Sequence, residues 1–147
     1  MKRIIVTGGS GVVGQHIVAT LPFQGNAVLN LHMALGPSVM HTIEVDLTNI
    51  DVYSALASHF ALTEPLPAQA SSTPGAVIHQ AGRPRNMLVL DNKAFQDNVV
   101  AMYDVLDAAC RLWVSKPILA SSVYVYGATY AYGYADFRVF PSPRACR

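Results

Sequence analysis

Short β-branched and apolar runs alternate along this chain with stretches of helical spacing. "RIIVTGG" (Arg3 to Gly9) is a β-branched run closed by glycines, which predicts a buried strand. "GVVGQHIVAT" follows with Val13, His16, Ile17 and Leu21 on one side of a predicted helix. Pro22 is expected to end that helix early and to loosen packing there, since a proline removes a backbone donor. "NAVLNLH" and "HTIEVDL" read as the second and third strands. "DVYSALASHFAL" reads as a helix with Tyr53, Leu56 and Phe60 on one face.

Thr63 to Gly75 is rich in Pro, Ala and Ser, which predicts a surface loop. "AVIHQAG" then gives a fourth strand. The longest helical pattern runs from Asp91 to Trp113, with Phe95, Val99, Met102, Leu106 and Ala109 as its apolar stripe. "KPILASS" reads as a fifth strand. Strands that alternate with helices argue for a parallel sheet with crossovers on both faces. There are no internal repeats.

Composition sharpens this picture. Charged residues make up 13% of the 147 residues and hydrophobic ones 52%. That charged share is about half of what soluble domains average, and it favours a sheet buried on both faces. The length suits one domain with one core. A net charge of +1 leaves no electrostatic footprint for nucleic acid or an anionic membrane. No apolar run is long enough to span a bilayer, and glycines interrupt the N-terminal run too early for a signal peptide. The two cysteines, Cys110 and Cys146, form neither a metal-like spacing nor a disulfide framework, so the default expectation is a reducing cytoplasm and no metal. Cys110 reads as helix core, His79 as strand packing, and Arg83 and Arg85 as loop charges available to a phosphate.

The candidate chemistry begins in "VTGGSGVVGQHIV". Gly9, Gly11 and Gly14 satisfy G-x-G-x-x-G, and the same stretch reads Thr7-Gly8-x-x-Gly11-x-x-Gly14. Such a loop between a strand and a helix needs a tight turn and a close backbone approach to a pyrophosphate. The helix that follows then presents free N–H groups and a positive dipole end to the phosphates. There is no Gly-Lys-Ser/Thr, so this is not a triphosphate-binding P-loop. The alternative is a glycine-rich turn without a ligand.

The Thr-Gly-x-x-Gly-x-x-Gly form resembles the extended short-chain dehydrogenase/reductase superfamily, and further motifs resemble its NAD-dependent epimerase/dehydratase family. "IEVDLTN", "AVIHQAG", "NVVAMYDVLDAAC" and "ASSVYVYG" stand in the family's order, and the likeness covers residues 3–127. It implies a Rossmann-like doubly wound parallel sheet of strand order 3-2-1-4-5, truncated after about the fifth strand. Residues 1–127 would form a partial NAD(P)-binding domain. Residues 128–147 would be an irregular tail in place of the family's catalytic and substrate region, and the fifth strand would become a sheet edge open to homo-association.

The resemblance also implies site residues. Thr7, Gly8, Gly9, Ser10, Gly11, Val12, Val13 and Gly14 would hold the cofactor's phosphates. Asp46 and Leu47 would hold the adenine, Ala81 and Gly82 would pass under the cofactor, and Asn98 and Ser121 would complete the site. Ser122 takes the family's catalytic Ser/Thr position, where its hydroxyl would bond a substrate oxygen; the bare alternative is that Ser121 and Ser122 cap a strand. The implied cofactor is NAD, with NADP as the second choice, and the implied substrate of a full-length form is a sugar nucleotide or related compound.

Three departures from the family matter. Its acid/base tyrosine belongs to Tyr-x-x-x-Lys, two dozen or more residues past that serine, yet the last lysine is Lys116. An unperturbed tyrosine titrates near ~10 and needs the neighbouring cation to work near neutrality. Tyr124, Tyr126, Tyr130, Tyr132 and Tyr134 all come too early, and Tyr134-x-x-x-Arg138 matches in spacing alone. The second departure is the missing acid about 20 residues past the glycine loop, where the chain has His32, read as a surface residue, and where the first acid is Glu44. The third is Pro22. Three readings follow: an oxidoreductase by descent that is inactive as this chain alone, a non-catalytic dinucleotide-binding module, and a fragment of a longer enzyme.

Overall fold

A computed structural model describes residues 2–33, 41–49, 52–57, 74–83 and 89–121. Five parallel strands form one sheet in the order β3-β2-β1-β4-β5: β1 (Arg3–Thr7), β2 (Ala27–His32), β3 (His41–Glu44), β4 (Ala76–His79) and β5 (Pro117–Leu119). β1 is central and every one of its residues is buried, as expected of a strand covered on both faces. The strand order and the α/β architecture are those expected.

Side chains alternate between the two faces of the sheet. Ile5, Leu29, Leu31 and Val77 pack on one face with Leu56 of α2 (Val52–Ala57) and with Ala101, Val105 and Ala108 of α4 (Ala101–Arg111). Ile4, Val6, Val28 and Ile78 pack on the other with Val18, Ile17 and Leu21 of α1 (Gly14–Phe23). The Arg111 guanidinium lies 4.2 Å from the centroid of the Tyr53 ring, which joins α4 to α2.

Several local expectations are corrected. α1 turns Gly14, Ile17, Val18 and Leu21 to the sheet, while Val13 and His16 are exposed. Gly14 presses on the backbone of the glycine loop, and that contact sets the helix rotation. Pro22 does not end α1, which continues through it to Phe23. The stop is a Schellman motif: Gly25, at φ +74°, donates to the Pro22 carbonyl at 2.9 Å, and Asn26 donates to that of Leu21 at 3.3 Å.

The long helical pattern is also not one α-helix. α3 (Asp91–Phe95) passes into a π-helical turn (Gln96–Val100) and then into α4, which ends at Arg111. The i→i+5 bonding of the turn delays the helix phase by about one residue. The buried line is accordingly Asp97, Ala101, Val105 and Ala108, and Phe95 and Val99 are 60% and 42% exposed. Cys110 is exposed rather than core, because Ala108 and Ala109 take the places against the sheet. β5 pairs with β4 alone and its residues are exposed, so it is an edge strand among the described residues. Phe60, Arg85, Ser122, Cys146, most of the Thr63–Gly75 loop, and all the tyrosines from Tyr124 onward lie outside the described residues.

Candidate functional site

A cleft of about 310 Å³ opens at the carboxyl ends of β1, β2, β3 and β4. β1 lies between β2 and β4, so the chain crosses to opposite sides of it there. Such a reversal leaves a crevice above the sheet, the usual ligand position of open α/β folds.

The glycine loop forms one wall. Gly8 leaves β1 at φ +73°, and its N–H donates to the Leu31 carbonyl at 2.8 Å. Gly11 N–H donates to the Gly8 carbonyl at 3.0 Å, and Gln15 N–H to the Gly11 carbonyl at 2.9 Å, which opens α1. A Cβ on Gly8 would stand 2.6 Å from the Ala81 nitrogen, and one on Gly14 would stand 2.7 Å from the Gly9 Cα. Strand, loop and helix therefore approach as backbone on backbone. Gly8 and Gly11 line the cleft. No side chain caps α1, whose first turn carries no acid. The positive dipole end of that turn suits an anion.

Asn30 anchors this wall and was not among the residues expected in the site. Its side chain is buried in β2, where Oδ1 accepts from Gly9 N–H at 2.9 Å. Its Nδ2 donates to Ser10 Oγ at 3.1 Å and to Thr42 Oγ1 at 3.2 Å. The one available signal was an amide in the middle of the otherwise apolar run "AVLNL".

The opposite wall follows β3. Asp46 and Leu47 line the cleft with Thr48. Asp46 Oδ1 accepts from Thr48 N–H at 2.9 Å and from Thr48 Oγ1 at 2.7 Å. These bonds favour the charged form and lower the carboxyl's pKa below its ordinary value. His32 and Met33, at the end of β2, also line the cleft; His32 is half-buried rather than a plain surface residue.

The third side follows β4, where Gln80, Ala81, Gly82 and Arg83 line the cleft. Asn98 holds this turn from below, as its Oδ1 accepts from Arg83 N–H at 2.6 Å and its Nδ2 donates to the Arg83 carbonyl at 3.2 Å. Asp97, from the π turn, reaches the cleft and pairs with Arg83 Nε at 2.7 Å and Lys93 Nζ at 2.6 Å. Lys93 first, then Arg83, lowers its pKa.

Six expected residues thus meet in the cleft: Gly8, Gly11, Asp46, Leu47, Ala81 and Gly82. Gly9, Ser10 and Gly14 support the loop through Asn30 and α1. The side chains of Val12 and Val13 are exposed at the start of α1. Thr7 turns to the sheet interior, its hydroxyl 2.7 Å from His79 Nδ1, so His79 is hydrogen-bonded as well as packed. Ser121 is exposed after β5. His32, Thr48, Gln80 and Asp97 are lining residues the sequence did not single out as such. Among the described residues no three His, Cys, Asp or Glu side chains gather as metal ligands, and no helix is long and apolar enough to cross a membrane.

The sequence profile of the NAD dependent epimerase/dehydratase family matches residues 4–136, and the chain belongs to that family. No curated protein matches it. Among solved structures it is similar to a short-chain dehydrogenase/reductase superfamily protein from Agrobacterium tumefaciens with bound NAD. Identity is 26% and the TM-score 0.68, over 85% of this chain and 34% of that one. It is similar to a UDP-galactose 4-epimerase at 28% identity and TM-score 0.66, over 88% and 41% of the two chains. It is also similar to the UDP-glucose 4-epimerase of Thermus thermophilus in complex with NAD, at 26% identity and TM-score 0.62, over 82% and 37%. The chain therefore spans between 34% and 41% of the length of these three structures.

Proposed function

We propose that this member of the NAD-dependent epimerase/dehydratase family binds a nicotinamide dinucleotide in the cleft above β1 and that these 147 residues alone do not turn over substrate. The observation that carries the binding reading is the backbone cradle of Gly8 and Gly11 beneath an uncapped, acid-free helix start. That cradle suits a diphosphate, because its glycines present bare backbone with no obstructing side chain and the helix start above it brings a positive dipole end. Asp46 and Leu47 are assigned to the adenine, Ala81 and Gly82 to the floor under the cofactor, and Asn98 to the support of that floor through the Arg83 backbone. Thr7, Gly9, Ser10 and Gly14 shape the loop from behind.

When bound, the dinucleotide supplies a hydride acceptor or donor. The chain's share of the chemistry would begin with Ser122, in the family's serine position, as a donor to the substrate oxygen. The proton step falls to a tyrosine assisted by a lysine, and no Tyr-x-x-x-Lys occurs in these residues. General acid–base catalysis contributes typically ~10²–10⁴-fold. A sugar nucleotide is the substrate class assigned to a longer form, in keeping with the UDP-galactose 4-epimerase likeness. In this reading residues 1–127 are the binding domain and 128–147 the tail, the compartment is cytoplasmic, and the exposed β5 edge is the place for homo-association.

The second reading, a non-catalytic dinucleotide-binding module, uses the same cleft and differs only in what a longer chain does. Titration of purified 1–147 with NADH, followed by nucleotide fluorescence, tests the shared claim. Saturable micromolar binding without turnover of UDP-sugars supports it; turnover by the chain alone contradicts the inactivity, and absence of binding by folded protein contradicts the binding.

A further inference from the structure

A carboxylate at the end of β2, about 20 residues past the glycine loop, is how open α/β folds commonly favour NAD: it bonds the adenosine ribose 2′-hydroxyl and repels a 2′-phosphate. Residues 4–43 of this chain contain no Asp, Glu, Lys or Arg. Neither β2 nor the connection that follows it can therefore place a fixed charge at that position. What stands there is His32, the last residue of β2, half-buried and lining the cleft beside Met33.

The nearest carboxylates do not substitute for the missing one. Asp46 is tied into its own turn by two bonds from Thr48. Asp97 lies between Arg83 and Lys93 on the β4 side of the cleft. Glu44 is the register partner of His32 on β3, but it is exposed and is not among the cleft-lining residues.

Building on the dinucleotide reading above, we propose that His32 reads the ribose 2′ position and that the cleft accepts NAD and its 2′-phosphorylated form without strong preference. An imidazole both donates and accepts, so it can bond a hydroxyl through either ring nitrogen. It can equally donate to a phosphate oxygen. With no carboxylate at the end of β2, the like-charge repulsion that normally rejects the 2′-phosphate from that position is missing; with no Lys or Arg there, so is the ion pair that would select it.

The test is parallel fluorescence titration of the wild-type chain and its His32→Asp and Glu44→Gln variants with NADH and with NADPH. The wild type is expected to bind the two within about tenfold. His32→Asp is expected to move the ratio of dissociation constants toward NADH by roughly ten- to a hundredfold, the range of one charged hydrogen bond. Glu44→Gln is expected to leave the ratio unchanged. A wild type that binds NADH but rejects NADPH by more than about a hundredfold would overturn the inference while leaving the binding reading intact. So would a ratio set by Glu44, or one indifferent to His32→Asp. If folded wild type binds neither nucleotide, the binding reading falls and this inference falls with it.

Discussion

The Asn30 side chain and the Gly9 backbone meet at 2.9 Å, where a buried amide in β2 accepts the N–H of the second glycine of the loop. The same amide reaches Ser10 and Thr42, so three elements are fastened at one residue. Replacing Asn30 by Leu strands a buried N–H without a partner and removes both donor bonds. We expect a loss of about 1–3 kcal/mol, the usual cost of a buried group left unsatisfied. Urea unfolding measures it, and the same variant should bind NADH more weakly than wild type at a temperature where both are folded.

Val13 offers a variant whose stability and binding should change in opposite directions. It is the N-cap of α1, its side chain is 60% exposed, and it caps nothing. Val13 keeps helical backbone angles, so Val13→Asp adds a favourable charge at the helix start rather than a cap, for a gain of about 0.3–1 kcal/mol. The same charge would face the cofactor's phosphates. The expected outcome is a higher melting temperature with NADH affinity reduced at least tenfold. A variant that is stabilised and binds normally would place the phosphates elsewhere.

His79 makes stability depend on pH. It is 3% exposed, it is bonded at Nδ1 to Thr7, and its Nε2 has no partner among the described residues. Burial disfavours the imidazolium and lowers its pKa below the ordinary 6.5. The unfolded chain therefore binds the proton more readily than the folded one. The stabilisation is complete above about pH 6.5 and is lost as pH falls from there through the folded-state value. Asp46 and Asp97, both lowered, hold their contribution until pH falls below the ordinary 3.8. Urea midpoints between pH 5 and 7 should thus decline with acid in the wild type. That slope should flatten in His79→Asn.

Trp113 occupies a glycine position. It sits at φ 57° after α4, donates its N–H to the Cys110 carbonyl at 3.0 Å, and leaves its side chain 86% exposed. Val114 N–H donates to the Ala109 carbonyl at 2.9 Å, which completes a Schellman motif like that at Gly25. A left-handed conformation costs an L-residue roughly 1–2 kcal/mol, whereas glycine adopts it freely. Trp113→Gly should raise the melting temperature by a few degrees, after allowance for glycine's larger unfolded-state entropy. Thermal unfolding followed by circular dichroism reads this directly.

What was legible in the sequence and what was not divides along physical lines. The β-branched run ending at Gly8, and the strands around Val28 and Val77, announce themselves because a buried parallel strand has to be continuously apolar. The spacing of Gly8, Gly11 and Gly14 placed the loop wall of the cleft for a related reason, since the close backbone contacts at Gly8 and Gly14 admit no Cβ. Helix rotation was less legible. Phe95 and Val99 look like core in a pattern of period 3.6, but a π turn changes the period partway along, and small alanines took the buried places. Asn30, Asp97 and His32 were not recognised as parts of the site because each depends on a partner brought near only by the fold: Gly9, Arg83 and the cleft itself.

The most direct test of the central claim is an amide-resolved nuclear magnetic resonance titration of the isotope-labelled chain with NAD. Saturable shifts concentrated at Gly8 to Gly14, Asp46 to Thr48, and Ala81 to Arg83 are the predicted result. Shifts confined to other surfaces, or a folded chain whose spectrum does not move at millimolar NAD, would contradict the account.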